Sequence, residues 1–137
     1  MIRLSREIHF NASRRLWRPE WSQTRNRSVF GDESPHGYGH NYRLEVEIAG
    51  EIDPEKAMVV NLTDLDRILK EEVDRPLDHK NLNLDVPAFA TTIPTFENLA
   101  RWIWERVSER ITRERWPCRI SRLRLSPTPD VSVEIEE

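Results

Sequence analysis

A histidine stands where a turn becomes a strand. The stretch is His36-Gly37-Tyr38-Gly39-His40-Asn41-Tyr42, and it runs into Arg43-Leu44-Glu45-Val46-Glu47-Ile48. Pro35 and the two glycines mark the turn, and the period-two alternation marks a half-buried strand. His40 is therefore carried on a rigid element beside a loop, where binding groups tend to sit. Upstream, residues 14–35 interleave Arg14, Arg15, Arg18, Arg25 and Arg27 with Trp17 and Trp21 and show no clean period. A loop of this length inside a small domain is usually functional or disordered. It is either a solvated basic loop or a lid over an anionic ligand, with guanidinium forks meeting phosphate or carboxylate.

The elements that would position these groups follow from the periodicity. Residues 2–13 alternate loosely, with Ile2, Leu4, Ile8 and Phe10 on one side, and predict a first strand. The second strand is expected at 40–49. After a Gly50–Pro54 turn, Asn61 or Thr63 can cap a helix running to about Asp74, with Leu62, Leu65, Ile68, Leu69 and Val73 on one face. Pro76 is expected to stop it. A second helix is predicted after Pro94, capped by Thr95 and ending near Thr112. Two alternating runs, through Ile120–Leu125 and Val131–Ile135, frame a Ser126–Asp130 turn and predict a hairpin. The order strand, strand, helix, helix, strand, strand predicts an α+β domain, a four-stranded antiparallel sheet with both helices on one face.

Composition narrows the class. With 137 residues a single domain, 1–137, is expected. The net charge of −3 carries no footprint of a general nucleic-acid binder. No apolar run approaches the ~20 residues that span a bilayer. The chain opens on an alternating stretch rather than a signal-peptide pattern, and its lone Cys118 forms no internal disulfide, so a cytoplasmic protein is expected.

Six stretches now read together. They are Phe10-Asn11-Ala12-Ser13, Gly39-His40-Asn41-Tyr42, Gly50-Glu51-Ile52-Asp53-Pro54, Met58-Val59-Val60-Asn61-Leu62-Thr63-Asp64-Leu65, Leu77-Asp78-His79-Lys80-Asn81-Leu82 and Thr95-Phe96-Glu97-Asn98-Leu99-Ala100. In this order and spacing they resemble the 6-pyruvoyltetrahydropterin synthase family, which includes the 6-carboxytetrahydropterin synthases. The resemblance implies a T-fold and a homotrimer or homohexamer with sites between subunits. It also implies a zinc held by three histidines, a catalytic cysteine, an Asp-His pair and a glutamate that anchors the pterin ring. The family reaction eliminates triphosphate from dihydroneopterin triphosphate and rearranges the side chain.

Carried over position by position, the family's pattern is only partly kept. Arg14 stands at the first zinc position and Tyr38 at the second, and His40 alone is retained. The cysteine is replaced by an acid, Asp32 or Glu33. Asp78 and His79 keep the catalytic pair, and Thr95 and Glu97 keep the Thr-x-Glu-Asn stretch. The ring anchor falls at Leu125 or Ser126, neither of them acidic.

Catalytic zinc needs three protein ligands and an open position. One histidine does not supply them, so no metal and no cofactor are expected. Among the spare imidazoles, His36 reads as a turn residue and His9 as a strand-face residue. Arg14 is a permanent cation where a metal cation would be, and it could pair with Asp32 or Glu33. A histidine oriented by a carboxylate is the usual general acid/base, and His79 beside Asp78 would be one. Neighbours in sequence need not touch, however. These residues suit a metal-independent lyase or isomerase on a pterin or purine-like ring, using Asp78, His79 and the acid at 32–33. They also suit a protein that binds the ligand without turning it over, or a structural or regulatory subunit. Arg14, Tyr38, His40, Thr95 and Glu97 would line the ligand site, and no nucleic acid or membrane is expected as a partner.

Overall fold

The computed structural model describes residues 1–32 and 34–137. Glu33 therefore lies outside the described residues. Two long strands form the spine. β1 (Ile2–Arg14) and β2 (Tyr38–Gly50) pair antiparallel in an unbroken register from Ile2 opposite Gly50 to Arg14 opposite Tyr38. β2 pairs with β4 (Arg119–Thr128), and β4 with β5 (Val131–Glu136), both antiparallel.

The four expected strands gain a fifth. β3 (Lys80–Asn81) lies parallel to β1 at Ala12 and Ser13, giving the order β3-β1-β2-β4-β5. At two residues β3 is too short to leave an alternating pattern in the sequence.

The sheet's two faces differ as its alternation dictates. Phe10, Ala12, Tyr42, Leu44, Val46, Leu123 and Leu125 are buried on one side. The other side carries ion pairs, including Arg43–Glu7 at 3.3 Å, Arg122–Glu45 at 2.6 Å and Arg124–Glu134 at 3.6 Å.

The helices cover the apolar face. α2 (Leu62–Leu69) is capped by Asn61, whose side chain accepts from the Thr63 N–H at 2.9 Å. It buries Leu65, Ile68 and Leu69, whereas Leu62, placed on that face by the sequence, is 43% exposed. Pro76 does not stop the helix. A π-helical turn, Lys70–Asp74, carries it into α3 (Arg75–Leu77). Proline lacks the N–H that would bond the carbonyl four residues back, and its ring crowds that carbonyl. Here that carbonyl belongs to Glu72, and Arg106 Nε donates to it at 3.1 Å instead. The Glu72 carboxylate takes Arg106 at 2.8 Å and Arg110 at 3.0 Å, tying the widened turn to α5.

After β3, the single turn α4 (Leu82–Asp85) leads to α5 (Phe96–Arg113). The Thr95 hydroxyl caps α5 by accepting from the Asn98 N–H at 3.1 Å, and Leu99, Ala100, Ile103, Val107 and Ile111 are buried. Trp102 and Trp104 both flank the core, neither fully buried.

The basic stretch is not a bare loop. It contains α1 (Gln23–Phe30), capped by Ser22. α1 is polar nearly all round, so no apolar period announced it. Its one buried residue, Asn26, accepts from the Arg18 N–H at 2.8 Å and donates to the Arg18 carbonyl at 2.9 Å.

Candidate functional site

The register of β1 and β2 builds the site's floor. On the helix-covered face Phe10 lies opposite Tyr42, Ala12 opposite His40, and Arg14 opposite Tyr38. Phe10 and Tyr42 stack at 4.9 Å. Phe96, the first residue of α5, closes over this row. Its ring meets His40 edge-on at 5.3 Å and Tyr42 at 6.3 Å, and the Arg14 guanidinium carbon lies 3.7 Å from its centroid. Tyr38 meets His40 at 5.2 Å and lies under Arg14 at 5.8 Å. Arg14, distant in sequence from Tyr38 and His40, thus shares one pocket of aromatic rings with them.

Arg14 is 3% exposed, and its Nη1 donates to the Pro94 carbonyl at 2.9 Å. Its expected carboxylate partner is not Asp32, which is exposed in the turn after α1 and makes no ion pair with it. The turn leaves Asp32 in solvent while the β1 alternation carries Arg14 inward, so a carbonyl and an aromatic face receive the cation instead. Three polar atoms in this cluster are buried without a partner among the described residues: Arg14 Nε, His40 Nε2 and Tyr42 Oη. Buried polar groups are nearly always hydrogen-bonded, so unpaired ones in a single cluster are unusual. Burial, and then the Arg14 charge, push the His40 pKa below its ordinary value of 6.5. Burial pushes the Tyr42 phenol up to about 12, against an opposing pull from Arg14.

These residues do not fit zinc. A guanidinium stays protonated and offers no lone pair, and only one imidazole is present at the three positions. Among the described residues no three His, Cys, Asp or Glu converge. His9 faces the charged side of the sheet, 3.1 Å from Glu7. His36 is exposed in a 3-10 turn, Ser34–His36.

The Asp78–His79 pair lies at the open edge of β1. Although adjacent in sequence, the two side chains do touch, with His79 Nδ1 2.9 Å from Asp78 Oδ2. The backbone makes this possible because His79 has φ of 60°, a left-handed conformation rare for histidine. Asn11 anchors both residues. Its N–H donates to Asp78 Oδ1 at 2.8 Å, and its carbonyl accepts the His79 N–H at 2.6 Å. The Asn11 bond, together with His79, holds the Asp78 carboxyl below its usual range. Nδ1 is the ring nitrogen directed at Asp78, which leaves Nε2 on the exposed side of the imidazole. Asn11 and Arg14 are three residues apart on β1, about 10 Å along the strand, so the pair is near the aromatic cluster but outside it.

The other candidates are scattered. Thr95 is engaged as the α5 cap. Glu97 is exposed in the first turn of α5, with no hydrogen bond or ion pair to another described residue. Leu125 and Ser126, the positions at which the ring anchor was expected, are buried in β4. Sequence reasoning missed Asn11, Pro94 and Phe96. Phe96 had a signal, since it lies inside the Thr95–Asn98 stretch, but the acceptor role of Pro94 is a backbone property that no side chain announces.

Residues 3–137 match the family described as 6-pyruvoyl tetrahydropterin synthase. The 6-pyruvoyl tetrahydrobiopterin synthase of Homo sapiens is 46% identical over 107 residues, 77% of this chain and 74% of that protein. A dihydroneopterin monophosphate aldolase of Pyrococcus furiosus is 33% identical over 99 residues, 72% of this chain and 77% of that protein. The structure of Caenorhabditis elegans 6-pyruvoyl tetrahydropterin synthase superposes with a TM-score of 0.88 at 29% identity, covering 99% of this chain and 95% of that one. A family match over nearly the whole chain agrees with the α+β sheet and its one-sided helices, and this chain belongs to the 6-pyruvoyl tetrahydropterin synthase family.

Proposed function

We propose that this protein is a zinc-independent lyase or isomerase acting on a pterin with a phosphorylated side chain. The observation that carries this is the built Asp78–His79 pair, at 2.9 Å and anchored twice to Asn11. A histidine oriented through one nitrogen by a carboxylate is equipped to take a proton with the other and return it. His79 Nε2 would remove a proton from the ligand's side chain, and Asp78 would keep the imidazole in the useful tautomer. Arg14 supplies a fixed positive charge at the first zinc position. It can hold an anionic group but cannot make a metal-bound nucleophile. Asp32 or Glu33, in the cysteine's place, is the second acid. The relatives are named a 6-pyruvoyl tetrahydrobiopterin synthase and a dihydroneopterin monophosphate aldolase, and both names support a pterin ligand, the second a phosphorylated one.

The protein is proposed to act in the cytoplasm as a homotrimer or homohexamer, with Thr95 and Glu97 in the ligand site. Among the described residues no helix is long and apolar enough to cross a membrane. A non-catalytic pterin-binding or regulatory role is the second reading, favoured by the unpartnered Arg14, His40 and Tyr42 atoms. Incubation with dihydroneopterin triphosphate and, separately, the monophosphate, followed by product mass, separates the two. Product from either substrate, lost in His79→Ala, supports the enzyme. Binding of both without product supports the ligand-holding protein.

A further inference from the structure

Next to the Arg14 cluster lies an open cavity of about 430 Å³. Gly37 and Ile93 line it on the side toward Arg14 and Pro94. Trp17 and Phe89 form aromatic walls, and Thr91 and Thr92 contribute hydroxyls. Among the described residues the charged lining is Arg15 and Arg18 against one acid, Glu20.

The two arginines are held in an unusual way. Asn83 fixes the Arg15 backbone at both ends, accepting its N–H at 2.7 Å and donating to its carbonyl at 3.0 Å. Asn26 does the same for Arg18, at 2.8 and 2.9 Å. Their guanidinium groups lie over indoles, Arg15 on Trp17 at 4.2 Å and Arg18 on Trp21 at 5.3 Å. Among the described residues Arg15 has no carboxylate partner, and Arg18 has only Glu20 at 3.5 Å. Arg15 is the contrast to the sheet arginines, since Arg43, Arg119, Arg122 and Arg124 are all in ion pairs. Stacking on an indole restrains a guanidinium while leaving its in-plane N–H donors free. Fixed backbones and stacked forks, with Arg15 free of a described carboxylate and Arg18 holding only the exposed Glu20, are the preorganisation an anion site needs.

We infer that this cavity is a phosphate subsite, in which Arg15 and Arg18 together hold a phosphate group of the ligand. A carboxylate can take two arginines, as Glu72 does, but a phosphate offers the pair a third oxygen and more negative charge. The inference rests on the proposed pterin function only for what the phosphate is attached to.

Calorimetric titration of the full chain tests it, using sodium tripolyphosphate, citrate and neopterin as separate probes. The variants are Arg15→Gln with Arg18→Gln and, as a control of equal charge change, Arg119→Gln with Arg124→Gln. Equal unfolding midpoints show that each variant is folded. Tripolyphosphate should bind the native protein, weaken about tenfold or more in the first variant and less than about twofold in the control. No binding, equal weakening in both variants, or citrate binding as tightly as tripolyphosphate overturns the subsite. If tripolyphosphate behaves as expected while neopterin does not bind, the phosphate subsite stands and the pterin reading fails.

Discussion

The Arg14 guanidinium carbon lies 3.7 Å from the centre of the Phe96 ring, so the last residue of β1 and the first residue of α5 meet face to face over the sheet. The β1 alternation points Arg14 inward, and the Thr95 cap fixes where α5 begins. A buried cation is thereby held by a ring and one carbonyl, with its Nε unpaired.

This arrangement sets the response to substitution. Arg14→Ala removes the stack and leaves a cavity, at a cost of about 2–4 kcal/mol. Arg14→Met refills the space and removes an incompletely solvated charge, so it should lie within about 1 kcal/mol of the native protein. Arg18→Ala should cost about half a kcal/mol or less. Urea unfolding measures all three. An Arg14→Ala as mild as Arg18→Ala would show that Arg14 is not packed as described.

His40 ties stability to pH. Its folded pKa is depressed, first by burial and then by Arg14, so the unfolded chain binds the proton more readily. Its contribution is fully present above the ordinary value of 6.5 and is lost as pH falls from there through the folded pKa. Arg14→Met removes one of the two causes and should raise the His40 pKa in an NMR titration, shrinking the loss. An unchanged pKa would contradict the Arg14–His40 coupling.

His79 carries backbone strain at a chemically useful place. A left-handed conformation costs a non-glycine residue roughly 1–2 kcal/mol, which glycine does not incur. His79→Gly should therefore hold or gain stability while losing turnover. Asp78→Asn keeps an oxygen for the Asn11 N–H but no longer fixes the imidazole tautomer, and should reduce kcat about 10²–10⁴-fold with little change in ligand binding. Equal losses of binding and rate would assign the pair to ligand anchoring.

Assembly follows from the sheet edges. Among the described residues β3 covers β1 only at Ala12 and Ser13, leaving the rest of that edge and the outer edge of β5 without a partner strand. Long uncovered edges are a liability that barrel closure between subunits removes. Light scattering at micromolar concentration should give a trimer or hexamer mass, and a sharp monomer mass would oppose it.

The four longer strands and both principal helices were legible because their periods reach over many residues, whereas the two-residue β3 was not. Thr95 was legible as a cap because threonine before a periodic run is a local signal. The π-turn at Lys70–Asp74 was not, because the donor that satisfies Glu72 comes from Arg106, distant in sequence. In the site, the motif pattern pointed to Arg14, Tyr38 and His40. Only the β1–β2 register showed that they share a face. The Asp78–His79 contact depends on one left-handed residue, which no periodicity encodes.

Zinc content per subunit tests the central claim most directly, measured by elemental analysis on the native protein and on the Arg14→His, Tyr38→His double variant. A metal-free site with Arg14 in the metal's place predicts essentially no zinc in the native protein. The double variant, with three imidazoles restored on one face, should take up about one zinc per subunit. About one zinc per native subunit, lost on His40→Ala, would contradict the account.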